Sequence, residues 1–360
     1  MNSIQQDIIF FPFIVAFIVT VIATPLSLIF IRKLGLFDDP KTHKHPAIIH
    51  KKPVPRGGGI PLFIGVAVAG ILFLPITEIT VALFVASLIA LFVGVLDDKF
   101  DLSPYLRFII NIVCVLIVVL SGVNIPFITS PLGGILNLDI FKFAFLGNNT
   151  SIVLADIIAL LWIAWVMNML NWSKGVDCQM PGIITISALI IGILSLRFPI
   201  IDQNSLISAK LSFAIAGAAV GFLIFNFYPA KIFPGYGATS IYLLLAAVSI
   251  LSSVKLATAI LVMGIPMIDG IFTLLRRILT GHSPFRHDKG HLHHLLLELG
   301  FGQRRIALFY WLLSAILGLI SLTLSSKGKL FAIIMLVVIV GGALVFLHLA
   351  LRTNEKEKAS

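Results

Sequence analysis

Apolar stretches of about 20 residues recur along almost the whole chain with short polar gaps between them, and this fixes the solvent the chain folds in. Of 360 residues, 59% are hydrophobic and 12% charged, and mean hydropathy is +1.07. So few charges cannot cover so much apolar surface in water, which excludes an ordinary soluble domain. The spacing predicts an all-α polytopic membrane protein of about eleven transmembrane helices, at 8–31, 59–76, 77–96, 105–125, 151–170, 181–197, 208–228, 239–253, 256–275, 306–324 and 329–351. These make one transmembrane domain over 1–351, with a polar tail at 352–360. The eighth stretch is short, so a break or tilt is expected there. The residues before Ile8 include no basic n-region, so the first stretch reads as a retained helix, a removed signal peptide being the alternative.

Charge sets the orientation. With the N-terminus outside and the C-terminus in the cytoplasm, the outer segments hold only Lys142, Arg197, Lys210, Lys255, Lys327 and Lys329. The other 20 of the 26 Lys and Arg residues then face the cytoplasm, a strong positive-inside bias. The net charge of +10 therefore lies beside the membrane and suits anionic lipid or phosphate, which argues against nucleic acid as a partner. Cys114 and Cys178 lie in a helix and a loop, without CxxC spacing, and suggest neither a disulfide nor a thiolate metal site.

The same orientation gathers the unusual polar residues on the cytoplasmic face. The first loop carries Lys44, His45, Arg56 and then Gly57-Gly58-Gly59. It reads either as a basic topogenic loop or as backbone N–H groups free to approach a phosphate. Asp97, Asp98 and Asp101 stand at a helix end with i,i+3 and i,i+4 spacing, which would let them meet on one cation or one reacting oxygen; a solvated helix end is the plain alternative. Asn168, Asn171, Lys174 and Asp177 form a polar row after a very apolar helix, at a depth where an unpaired amide is costly. Asn226 and the turn-rich 229–239 segment with Phe233 read as a loop or as a nucleoside pocket. Arg286, His287, His291, His293 and His294 suit either a metal or an anion held by hydrogen bonds.

Taken in order over roughly 32–300, these clusters resemble the polyprenyl-phosphate N-acetylhexosamine-1-phosphate transferase superfamily, a glycosyltransferase family 4-like group. The resemblance rests on Pro53-Val54-Pro55-Arg56-Gly57-Gly58, on Asp97-Asp98-x-x-Asp101-Leu102-Ser103-Pro104 and on Ser283-Pro284-Phe285 with His291-x-His293-His294. It is closer to the undecaprenyl-phosphate GlcNAc-1-phosphate branch than to the phospho-MurNAc-pentapeptide translocases. It implies transfer of N-acetylhexosamine-1-phosphate from a UDP-N-acetylhexosamine to an undecaprenyl or other polyprenyl phosphate in the bacterial inner membrane. UMP is released, and a cell-envelope glycan is started. The cofactor implied is Mg2+, and a homodimer is compatible with the resemblance. By position Asp97, Asp98 and Asp177 would be catalytic, with Asp98 and Asp177 holding the metal. Asn171 would line the site, Asn226 and Phe233 would hold the uracil, and His291, His293, His294 and Arg286 would grip phosphates. Lys44, His45 and Arg56 would stand at the rim.

Two departures fall at the centre of that pattern. Where the family has Asn-x-x-Asn-x-x-Asp-Gly-x-Asp-Gly, Lys174 replaces the first acid and Cys178 the closing glycine. Where it has Phe-x-Gly-Asp-x-Gly-Ser, Tyr236 replaces the acid. Losing two carboxylates and gaining an ammonium weakens any dication site. Either Lys174 supplies part of the charge a metal supplies elsewhere, or the chain keeps the pocket without the transfer. A transporter is disfavoured, because such sites usually lie near the bilayer midplane.

Overall fold

The structure is a computed structural model that describes residues 6–40, 49–50, 52–130, 133–138, 140, 142–145, 149–197, 201–251, 256–284 and 288–359. A π-helical turn, Gln6–Phe10, leads into α1 (Phe11–Lys33), followed by α2 (Gly59–Phe73), α3 (Glu78–Phe100) and α4 (Pro104–Leu120). Next come α5 (Val153–Trp172), α6 (Gln179–Ser195), α7 (Gln203–Asn226) and α8 (Thr239–Leu251). The chain ends with α9 (Leu256–Val262), α10 (Gly264–Leu279), the short α11 (Leu292–Glu298), α12 (Gln303–Thr323) and α13 (Ser326–Ala359). Segment 352–359, expected as a tail, continues α13 as helix.

Local chemistry explains the ends that matter for the site. Thr77 and Thr80 exchange side-chain and backbone hydrogen bonds in a capping box that starts α3. Asp101, in the left-handed region at φ 48°, stops it one residue after Phe100. Ser103 then caps α4 by accepting from Leu106 N–H, with Pro104 in the first turn. The last turn of α3, with Asp97 and Asp98, is thereby fixed between two sharp stops.

Among the described residues six helices are long and apolar enough to cross a membrane, or seven with the bent pair α9–α10. Four shorter apolar helices, α2, α4, α6 and α8, match four more expected spans. All thirteen residues of α8 are buried, so this helix is apolar all round and sits in the protein core. By contrast α1, α3 and α13 turn Ile22, Leu26, Leu88, Phe92, Phe331 and Val338 outward, an apolar exterior suited to lipid. The protein is a multi-pass, mainly helical membrane protein.

Small residues let the helices approach. Gly217 and Gly221 of α7 lie against the Phe13 and Phe17 carbonyls of α1, and Gly65 of α2 lies against Thr20. The expected break in the eighth span is instead in the ninth: α8 runs unbroken, and α9 and α10 meet at 84° beside Met263. Pro266 has no N–H to continue the helical ladder across that point. The all-α expectation also needs amending in the loops. Phe37–Asp38 pairs antiparallel with Val54–Pro55, and the segment between α4 and α5 forms two further antiparallel pairs, Phe127–Thr129 with Ile135–Asn137 and Lys142–Phe145 with Asn149–Ile152.

Candidate active site

The first loop and the 231–238 segment are joined by backbone. Phe233 N–H donates to the Pro55 carbonyl, Gly57 and Gly58 N–H donate to the Phe233 carbonyl, and Gly59 N–H donates to that of Pro234. The glycine N–H groups expected to face a phosphate are therefore spent inside the protein. The glycines serve contact instead: a Cβ on Gly59 or on Gly94 of α3 would collide with the backbone at Gly237.

This clamp brings the 235–237 turn onto the end of α3. Asp98 accepts from Tyr236 N–H at 2.8 Å and pairs with Arg56 Nε at 2.7 Å, while its Oδ2 is buried without a partner. Asp97 is spent differently. Both its oxygens accept from Arg107 Nη1 at 3.2 Å, Oδ1 also accepts from Leu102 N–H, and Arg56 Nη2 is 3.9 Å away. Asp101, expected to converge with this pair, is exposed at the helix cap.

Lys174 and Tyr236 meet here. Lys174 Nζ donates to the Gly235 carbonyl at 2.9 Å and lies 5.7 Å from the centre of the Tyr236 ring. Arg107 lies 5.2 Å from the same ring, and Asn111 Nδ2 donates to the Tyr236 hydroxyl at 3.0 Å. Burial, then the charge of Arg56, pulls the Lys174 ammonium down to about 7, with Asp98 and Asp97 opposing. Burial pushes the Tyr236 phenol up to about 12, so it is neutral.

Next to this centre, Asp177 accepts from Ala230 N–H at 2.9 Å, and burial raises its carboxyl above the ordinary value. Asn226 accepts from Cys178 N–H and donates to the Ile232 carbonyl, so its amide ties two loops together. The Phe233 ring stands edge-on to His50 at 5.1 Å. Asn171 is half-buried, and its Oδ1 has no partner.

The histidines form the other wall. His293 fills the space beside Gly175, where a Cβ would collide with the ring, and its Nδ1 is unpartnered. His291 is stacked on it at 5.6 Å. His291 Nδ1 lies 3.0 Å from Asp269 Oδ2, and Leu292 N–H donates to Oδ1 of the same carboxylate. Burial, then the neighbouring histidines, holds His293 well below its ordinary value, and burial and His291 bring His294 to about 4. Both are neutral imidazoles at neutral pH and offer hydrogen bonds, not charge. Behind them Asp288 pairs with Arg276 Nη2 and Arg277 Nε, each at 2.9 Å, and Arg277 lies 5.9 Å from the Trp172 ring.

The structure thus gathers Arg56, Asp97, Asp98 and Lys174 at one centre; Phe233 is tied to it through the first loop, Asn226 joins the Cys178 and Ile232 loops, and His293, stacked with His291, packs beside Gly175. Lys44, His45 and Arg286 lie outside the described residues. Arg107, Asn111, Asp269 and Asp288 enter the frame without having been expected to. Arg107 and Asn111 had a signal, being two polar residues at i,i+4 on an apolar helix.

A divalent cation does not fit this set. Among the described residues no three His, Cys, Asp or Glu side chains converge to hold a metal ion. Asp98 offers one free oxygen, but beside Arg56 and Lys174, and Asp177 shares no described partner with it.

Residues 80–253 match the family described as glycosyl transferase family 4. The chain is 30% identical over 340 residues to a Bacillus subtilis (strain 168) protein named probable undecaprenyl-phosphate N-acetylglucosaminyl 1-phosphate transferase, covering 91% of this chain and 88% of that one. It is 31% identical over 329 residues to the decaprenyl-phosphate N-acetylglucosaminephosphotransferase of Mycobacterium tuberculosis (strain ATCC 25618 / H37Rv), covering 82% and 78%. It is also 27% identical over 314 residues to the undecaprenyl-phosphate alpha-N-acetylglucosaminyl 1-phosphate transferase of Salmonella typhi, covering 81% and 77%. With similarity running through almost the whole of both chains in the first pair, and with the matched segment holding most of the centre built above, the chain belongs to glycosyl transferase family 4.

Proposed function

We propose that this protein transfers N-acetylglucosamine-1-phosphate from UDP-N-acetylglucosamine to a polyprenyl phosphate at the cytoplasmic face of the bacterial inner membrane. The observation that carries the reading is the convergence of Asp98, Arg56 and Lys174 at the end of a membrane helix, in a chain similar throughout to polyprenyl-phosphate transferases. An oxygen of the lipid phosphate attacks the β-phosphorus of the nucleotide sugar. The bond from that phosphorus to the bridging oxygen breaks, its electrons stay on the oxygen, and UMP leaves. The total charge is unchanged, so the protein's part is to position two anions and stabilise the charge that moves between them.

In this reading Asp98 Oδ2 orients the lipid phosphate and takes its proton if it arrives as the monoanion, while Asp97 holds Arg107. Phe233 offers a face to the uracil, and Asn226 holds the loop that carries it. His293 and His294 donate neutral hydrogen bonds to phosphate or sugar oxygens. The eleven-span arrangement with N-terminus outside is part of the same proposal, since it puts this centre on the cytoplasmic side. The test is UMP release by purified protein in detergent with UDP-N-acetylglucosamine and undecaprenyl phosphate. Release that needs both substrates supports the assignment, and none under any ionic condition sinks it.

A further inference from the structure

We infer that Lys174, held in place by Tyr236, is the resident counter-cation of the reacting diphosphate, so that transfer at this centre needs no divalent metal. The inference rests on the proposed transfer and goes beyond it by naming what balances the charge. Lys174 and Asp98 border the same turn: Lys174 bonds the Gly235 carbonyl, and a Cβ on Gly235 would collide with Asp98 Oδ2. One of the three ammonium donors is spent on Gly235, which leaves two for oxygens of a bound anion.

Charge decides between a cation and an anion as the occupant. The described centre sets Arg56, Arg107 and the Lys174 amine, whose charged form an arriving anion would favour, against Asp97 and Asp98, and so complements an anion. A magnesium ion would find one unpaired carboxylate oxygen amid two guanidinium groups and an amine, whereas a diphosphate would find its complement. As the β-phosphorus bond breaks, the departing UMP oxygen gains negative charge, and a fixed ammonium in a water-poor site stabilises that charge without reorganising. Tyr236 is a positioning residue: its ring packs under the ammonium, and Asn111 fixes its hydroxyl.

The experiment follows UMP release by the full-length protein in detergent, in EDTA and in magnesium, with Mn2+ binding read separately by electron paramagnetic resonance. The native chain is expected to turn over within about twofold equally in both buffers and to leave Mn2+ free in solution. Lys174→Met should lose about 100-fold in kcat, the scale for removing one charge-stabilising donor, while UDP-N-acetylglucosamine still binds. Lys174→Arg should recover part of that loss. Tyr236→Leu should lower kcat more than it raises KM, and Tyr236→Phe should do so less. The double variant Lys174→Asp with Tyr236→Asp should bind Mn2+. Release abolished by EDTA, or stoichiometric Mn2+ on the native chain, overturns the inference and leaves the transferase standing. No release in either buffer removes both.

Discussion

Asp97 and Asp98 are adjacent in the chain, yet Asp97 has both oxygens on Arg107 while Asp98 keeps Oδ2 bare in a buried setting. A buried carboxylate oxygen without a partner is costly unless a ligand completes it. Asp98→Asn is therefore expected to lower UMP release by at least about 100-fold, with thermal unfolding in detergent much less affected. Near-normal turnover in that variant would take Asp98 out of the chemistry. The acid pair stood out in the sequence at a membrane boundary, with a solvated helix end as the plain alternative, which the burial of both carboxylates argues against. Its division of labour was not legible, since that depends on Arg107 reaching back from α4. Nor was the backbone at Cys178. Its φ of 59° is the left-handed conformation that a glycine adopts without strain and a cysteine rarely does.

At the scale of elements, the centre depends on three glycines that let α2, α3 and the 235–239 turn touch through backbone. Gly94→Ala places a methyl into Gly237 and Tyr236, and neither α3 nor the turn can retreat without disturbing the Tyr236 N–H bond to Asp98. We expect a loss of about 1–3 kcal/mol on overpacking, read as a lower unfolding temperature, together with a larger fall in kcat than in substrate binding. An unchanged kcat would mean that the turn does not set the position of Asp98. Another joint is Asp288, which ties the end of α10 to the histidine wall. Burial alone would raise its carboxyl, but the Arg277 hydrogen bond, Gly290 N–H and the two guanidinium charges hold it below the ordinary range. With the folded value below the unfolded one, this contribution is complete above about pH 4 and fades as pH falls further. Asp288→Asn should cost roughly 1–3 kcal/mol at neutral pH, with native and variant stabilities converging only in acid. A gap that closed near pH 6 would assign the stability to some other group. Nothing in the spacing of Asp288 named Arg276 and Arg277 as its partners. Such long-range pairs appear only once α10 and the loop after it are folded.

For the whole molecule, hydropathy located the apolar helices well, because lipid imposes both their length and the burial of their backbone groups. It was less informative about environment. A break was expected in the short α8, but it runs unbroken and enclosed by its neighbours, and the bend lies at Met263, where Pro266 interrupts the ladder. What packs around a helix is a property of the assembled bundle, and a hydropathy window cannot register it. The orientation expected from charge makes a prediction that length alone cannot. Lys99 lies at the end of α3 beside the acid pair, and Lys327 lies in the first turn of α13. An eleven-span chain with its N-terminus outside puts them on opposite faces. Both positions are exposed, while the native thiols Cys114 and Cys178 are buried and give little background. In intact cells a membrane-impermeant maleimide should label Lys327→Cys and spare Lys99→Cys, and in inverted vesicles the pattern should reverse. Labelling of both from one side would mean that the number of crossings between them is even. Labelling of Lys99→Cys alone in intact cells would turn the molecule over, placing the transfer centre on the face away from cytosolic nucleotide sugars and removing the basis of the proposed reaction.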